Sequence, residues 1–348
     1  MLPHMTKYIR TGDFLGAFAD GAILFPLVAA LSITNGFSGT YLFASAGLAY
    51  IVSGFIFRVP MPVQPLKSVA IAAVAAGASS LEVRWACGLL GVIFLLVSML
   101  DVDAIARKIP VVLIHGVQAA LGLMLLQRGL SALISSEPNL IMNLIPIFVI
   151  AAIIWAPNFM GINLMGIVAT LGIIMAVFWG GSISAPSSGS RPLALDHIRI
   201  PMILALVLPQ LALSLANSVV ATKDVCYRYF GPAAHRVTLR NLLLSIGAGN
   251  VLMSIFGGLP FCHGAGGLTA HYRAGARNWW MNHVIGSFLL VLAAVQYYHG
   301  QLAISIPAGL LAVLLISTGF FHLKLAAQSW ATSAGHLRQK LGVQYKAL

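Results

Sequence analysis

The sequence predicts an all-α polytopic membrane protein in which two of the crossing helices are broken. Three observations carry this: an apolar composition, a series of apolar runs of bilayer length, and two runs that open on proline and glycine. Hydrophobic residues make up 59% of the 348 and charged residues only 8%, against about 25% charged in an average soluble domain. So few charges cannot solvate a globular surface, so lipid is the expected solvent. The 20 Lys and Arg against 8 Asp and Glu leave a net charge of +12. These basic residues sit in short loops between apolar runs, the pattern of cytoplasmic loops, which argues against nucleic acid as a partner.

A bilayer core of about 30 Å takes roughly 20 apolar residues per helix. On that ruler segments run near 14–34, 37–57, 60–79, 83–100, 109–127, 139–156 and 159–180. The first of these carries Asp20 and continues past any A-x-A-like cleavage site, so it is read as a span and not a signal peptide. A Ser/Gly/Pro-rich connector over 181–199 follows, then segments near 200–221, 240–258, 259–276, 279–297 and 302–323. The basic stretch 324–348 reads as a tail or surface helix. Segments 3 and 10 of these twelve are the odd ones, opening on RVPMPVQP and GGLPFCHGAGG. Proline removes a donor and pushes its predecessor toward extended backbone, which is tolerated at membrane depth only where protein or water surrounds it.

Charge orients the chain. With the N-terminus cytoplasmic, inside loops hold 15 of the 20 basic residues; Arg84, Arg128, Arg191 and Arg199 fall outside and Lys67 within a segment. This bias places both termini in the cytoplasm of a multi-pass cell-membrane protein. Setting Pro60 on Pro260 aligns VPMPVQPLKSV with LPFCHGAGGLT. A repeat of seven spans inverts its second copy, giving 1–180 and 200–323 as the two repeats, the second shorter.

The start of a helix leaves N–H groups unpaired and carries about half a positive charge. Two such starts meeting at the midplane would form an anion receptor. Gln64 and Pro65 stand at the first start. His263, Gly264, Ala265 and Gly266 stand at the second, where small residues serve either the close approach of an oxyanion or tight helix packing. Lys67 either compensates an anion's charge, or snorkels or pairs structurally with Asp20. Asp20 itself could accept a coupling proton, pair with Lys67 or cap local backbone. Gln210 and Asn217, seven residues apart on one helix face, either bond a neighbouring helix or donate to an oxyanion. The three cysteines, Cys87, Cys226 and Cys262, lack metal-ligand spacing. No catalytic, metal or phosphate-loop constellation is present, so neither an enzyme nor a cofactor is expected.

The stretch GGLPFCHGAGGLTAHYRAGAR (Gly257–Arg277) resembles the P-x-C-H-G-A-G-G-L-x-x-x-Y-R-x-G-A-R signature of the plant and bacterial molybdate transporter family. PMPVQPLKSVA is similar to that family's P-V-Q-P-[ML]-K, and LPQLALSLANSV to its L-P-Q-L-P-L-T-L-x-N-S-V. ADGAILFP around Asp20 is similar to its D-L-G-T-Y-I-P. The resemblance implies the sulfate-permease, uracil-permease-like inverted repeat of seven plus seven helices. It divides the chain into core segments 1–4 and 8–11 and gate segments 5–7 and 12, with helices 13 and 14 of the fold lacking. It further implies a secondary transporter, a symporter, importing molybdate between segments 3 and 10 by movement of core against gate. The matched positions are Gln64, Lys67, Gln210, Asn217 and His263–Gly266. Sulfate or another tetrahedral oxyanion is the alternative substrate, and an anion channel or membrane sensor the alternative class. Proton coupling and a homodimer stay open.

Overall fold

The computed structural model describes residues 11–107, 111–134 and 198–298, together with isolated positions between 315 and 327. The segments expected at 139–156 and 159–180, the 181–197 part of the connector and the tail lie outside the described residues. In chain order the helices are α1 (Thr11–Ala17), α2 (Gly21–Asn35), α3 (Gly39–Phe57), α4 (Lys67–Ala76), α5 (Ser80–Val97), α6 (Val102–Arg107) and α7 (Val111–Ile134). After the connector come α8 (Ile200–Leu213), α9 (Thr222–Phe230), α10 (Leu239–Phe256), α11 (Ala265–Arg273) and α12 (Trp280–Tyr298). Among the described residues, five helical stretches are long and apolar enough to cross a membrane: Gly39–Phe57, Ser80–Val97, Ile200–Arg236, Leu239–Phe256 and Trp280–Tyr298.

Two expectations need correction. The first apolar segment is not one helix: turns at Phe18, Ala19 and Gly21, each bonded back three residues, separate α1 from α2 and leave Asp20 at the break. The segment read as 200–221 continues as helix to Arg236, and between α8 and α9 it widens into a π-helix, Ser214–Ala221.

The described helices cross in pairs on glycine. A Cβ on Gly47 of α3 would stand 2.7 Å from the carbonyl oxygen of Gly286 of α12, and one on Gly286 2.7 Å from that of Gly47. Gly91 of α5 and Gly247 of α10 meet the same way, at 2.8 and 3.0 Å. A third pair, Gly122 of α7 and Gly319, repeats it at 2.9 and 2.8 Å. Lipid offers no hydrophobic drive for helix association, so backbone approach across small residues supplies the packing.

The two Pro-opened stretches come together as the sequence pattern suggests. They form a two-residue antiparallel ladder, β1 (Gln64–Pro65) with β2 (Phe261–Cys262), in the register Gln64↔Cys262 and Pro65↔Phe261. Helices α4 and α11 start just beyond it, so their N-termini meet at the crossing. Extended backbone at this depth needs partners, and two asparagines supply them. Asn282 accepts from Met61 N–H at 3.0 Å and donates to Met61 C=O at 2.6 Å. Asn250 does the same for Phe261, at 3.0 and 2.7 Å. Each side-chain amide acts as a missing strand for the residue that follows the proline.

The ends of the half-helices are fixed as well. Asn35 donates to Ala73 C=O in the last turn of α4 and to Ala78 C=O just beyond it. Past α11, Gly275 has a φ of 108° and packs against Gly12, while Asp13 accepts from Arg277 N–H and Asn278 N–H at 2.7 and 2.8 Å. At the opposite face, Ser79 and Glu82 form a capping box at the start of α5. The Glu82 carboxylate also takes two bonds from the Arg199 guanidinium, at 2.7 and 2.8 Å, and this contact raises the arginine above its ordinary pKa.

Candidate anion site at the crossing of two half-helices

Both half-helices begin without a side-chain cap of the usual kind. The residue before α4, Leu66, and the residue before α11, Gly264, are extended and offer no side-chain bond to the first turn. The two starts are nevertheless unequal. Gln210, wholly buried on α8, accepts from Ser68 N–H at 2.9 Å and Val69 N–H at 3.3 Å, and its own N–H reaches Ser214 Oγ at 2.8 Å. It thereby occupies donors that the start of α4 would otherwise present. No side chain among the described residues takes the first donors of α11, and a Cβ on Gly266 would meet nothing within 4 Å among them. Open space therefore adjoins the start of α11 at Gly266.

The remaining expected residues gather around this second start. Gln64 is fully buried; its Nε2 donates to Asp20 Oδ1, and its Oε1 has no hydrogen-bond partner among the described residues. That oxygen is aimed at Gly264, so closely that a Cβ there would collide with it. Asn217, half-buried in the π-helix, brings its Nδ2 to 3.4 Å from the same point, and its side chain donates no hydrogen bond among the described residues. Asp20 is buried, its side chain does not cap α2, and its Oδ2 has no hydrogen-bond partner among the described residues. A Cβ on Gly267 would stand 2.8 Å from Asp20 Oδ2 and 2.5 Å from Gln64 Nε2, so only glycine admits both side chains here.

Lys67 is 5% exposed and makes no ion pair or hydrogen bond among the described residues, Asp20 included. Its ammonium is near enough to act electrostatically on Asp20 and Cys262, yet it neither snorkels out nor pairs. A buried, uncommitted cation beside an anion receptor supplies charge for an incoming ligand.

His263 is placed differently from the glycines that follow it. Its Nδ1 lies 2.8 Å from Pro62 C=O, which can only accept, so Nδ1 carries the proton. Its Nε2 lies 2.9 Å from Ser245 Oγ and accepts from that hydroxyl. Both ring nitrogens are thus spent, one on bracing the two broken stretches together and the other on α10. Thr222, at the end of the π-helix, donates to the carbonyl oxygens of His263 and Asn217, at 2.7 and 2.9 Å.

The crossing therefore joins Gln64, Lys67, Asn217, Gly264, Ala265 and Gly266 with Asp20, and sets Gln210 and His263 behind them as supports. Sequence reading missed Asn250, Asn282, Thr222 and Ser245. The first two carry the signal that drew attention to Gln210 and Asn217, a carboxamide within an apolar run. Nothing local marks the other two.

The chain is similar to known proteins in sequence and in fold. A family model described as "Molybdate transporter of MFS superfamily" matches residues 12–125 and 202–321. The chain is 25% identical to Molybdate transporter 2 of Arabidopsis thaliana over 89% of its own length and 77% of that protein. It is 26% identical to Molybdate transporter 1 of the same plant, over 93% and 81%. In fold it resembles the transmembrane domain of the cyanobacterial bicarbonate transporter BicA, with a TM-score of 0.64, 18% identity and coverage of 92% and 91%. The structure of SLC26A9 matches at a TM-score of 0.62 and 13% identity, over 94% of this chain but 59% of that one.

Proposed function

The chain belongs to the molybdate transporter family whose model it matches, and we propose that it imports molybdate by secondary active transport. It is a multi-pass membrane protein with the fold shared by BicA and SLC26A9. The observation that supports the anion reading is the open space at Gly266 on the start of α11, with Asn217 beside it and the buried ammonium of Lys67, which makes no ion pair among the described residues, at the start of the facing half-helix. Molybdate is a tetrahedral dianion whose oxygens only accept, and backbone N–H groups, a carboxamide N–H and a buried cation meet that need.

In this reading Gly264–Gly266 and Asn217 hold the oxygens and Lys67 neutralises charge. Gln210 and His263 position the two starts, and Gln64 and Asp20 link the site to a coupling proton. Alternating access follows from displacement of the core, segments 1–4 and 8–11, against the gate in a cell membrane with both termini cytoplasmic. A dianion entering against a negative interior potential needs cotransported cations, which supports a symporter. A homodimer is compatible with it. The second reading, sulfate or another tetrahedral oxyanion, rests on the same donors, because shape and charge are shared.

The test is molybdate uptake by cells at matched expression, read by elemental mass spectrometry. Lys67→Met and Gln64→Ala each bring uptake to background. Undiminished uptake in both would remove the assignment of this crossing as the site. Competition by excess sulfate and tungstate separates the two substrate readings.

A further inference from the structure

We propose, resting on the oxyanion reading above, that the Gln64 side-chain amide is the switch by which protonation of Asp20 renders the site able to hold its anion. The starting point is an anomaly. A site for a ligand made wholly of acceptors should present donors, yet the buried Gln64 turns an oxygen with no partner, Oε1, toward Gly264 and Asn217. Its donor end is turned the other way, to Asp20 Oδ1.

The hydrogen-bond inventory explains the orientation. An ionised carboxylate only accepts. Facing it, Gln64 must show its NH2 group, and its oxygen is left for the anion site. Were the amide turned over, Oε1 would oppose Asp20 Oδ1, two buried acceptors with no proton between them, which is costly. A proton taken from solvent onto Asp20 supplies the missing donor. The carboxylic acid O–H then donates to Gln64 Oε1, and the amide's two N–H groups face Gly264 and Asn217, where the oxyanion binds. One proton thus exchanges an acceptor for a donor in the site. By reciprocity of linkage, the bound anion favours the protonated carboxyl equally.

The surroundings leave this exchange to Asp20 and Gln64. Lys67 on α4, Tyr50 on α3 and Cys262 ahead of α11 act on Asp20 or on one another electrostatically. None of them makes an ion pair with it among the described residues. His271 on α11 is bonded through Nδ1 to Gly16 C=O at 2.7 Å, its buried Nε2 bonding none of the described residues, Asp20 included, and His263 is bonded at both nitrogens. Asp20 Oδ2 has no partner and sits over Gly267, where the absence of a side chain leaves room for either oxygen to carry the proton.

Asp20→Asn places a permanent amide donor opposite Gln64 and so imitates the protonated state. In purified protein, wild-type molybdate affinity should rise as pH falls, by up to about tenfold per pH unit within the coupled range. Asp20→Asn should bind at a pH-independent level close to the wild-type low-pH value, while proteoliposomes of this variant lose accumulation driven by a proton gradient. Infrared difference spectra on molybdate addition should show a protonated-carboxyl band in the wild type that is missing from Asp20→Asn. Equal pH slopes in the two proteins, or loss of binding by a variant that retains wild-type thermal stability, would overturn the switch. The failure of the substrate reading is separable: if molybdate binds neither protein, a pH titration of the amide band of Gln64, compared with Gln64→Met, still reports whether the amide turns with Asp20. An amide band indifferent to pH would overturn the proposal on its own.

Discussion

His263 shows how a residue can stand in a binding signature and still not bind. Its ring ties Pro62 C=O to Ser245 Oγ, two groups far apart in the chain. Replacing it by alanine leaves a buried carbonyl and a hydroxyl without partners, at a cost of about 1–3 kcal/mol for each group stranded. We expect His263→Ala to lower the thermal midpoint of the purified protein clearly, and Ser245→Ala to lower it less, since only one bond is lost. Equal midpoints for His263→Ala and wild type would show that the ring is not a brace. Gln210 behaves alike: its seven-residue spacing from Asn217 is legible in the sequence, but that its oxygen closes the start of α4 depends on a contact 142 positions away.

At the scale of elements, the two half-helices are alike in sequence position and unlike in use. One has its first donors occupied by Gln210; the other opens at Gly266. Gly266→Ala meets no neighbour among the described residues, so it should fold with unchanged stability yet weaken anion binding by obstructing the amides, about tenfold or more. Gly264→Ala would drive a methyl into Gln64 Oε1, so both stability and binding should fall. Binding titrations paired with thermal melts distinguish the two, and a Gly266→Ala protein with wild-type affinity would argue against an anion at that face. The broken helices themselves were legible, because Pro60 and Pro260 each forbid regular helix and sit at matching places in the two halves. The break around Phe18–Asp20 was not read: the Asp20–Gly21 pair, a turn signal, stands within an apolar run long enough for one helix, and the break is held by α1 packing through Gly16 on Ala276. The π-helix over Ser214–Ala221 was equally silent, since an apolar run of that length reads the same with a wider turn.

For the whole molecule, the glycine crossings divide the work. Gly47 with Gly286 and Gly91 with Gly247 lie within segments assigned to the core, whereas Gly122 with Gly319 joins segments assigned to the gate. A valine at Gly47 or Gly247 must force helices apart at a backbone contact, so each should destabilise the protein by about 1–3 kcal/mol. Gly122→Val should instead slow uptake while molybdate still binds the purified protein, because the half-helix crossing is untouched. Loss of binding in Gly122→Val together with unaltered melting would contradict that division.

The short ladder between Gln64–Pro65 and Phe261–Cys262 also sets a schedule for making the protein. Its two strands are about 200 residues apart in the chain. At a synthesis rate of about 5–20 residues per second, the first strand waits roughly 10–40 s in the bilayer before its partner is translated. Until then Met61 and Gln64 lack the groups from Asn282 and the second stretch that satisfy them. The nascent first half is therefore a client in need of shelter at the insertion machinery, and only completion of the second half releases it.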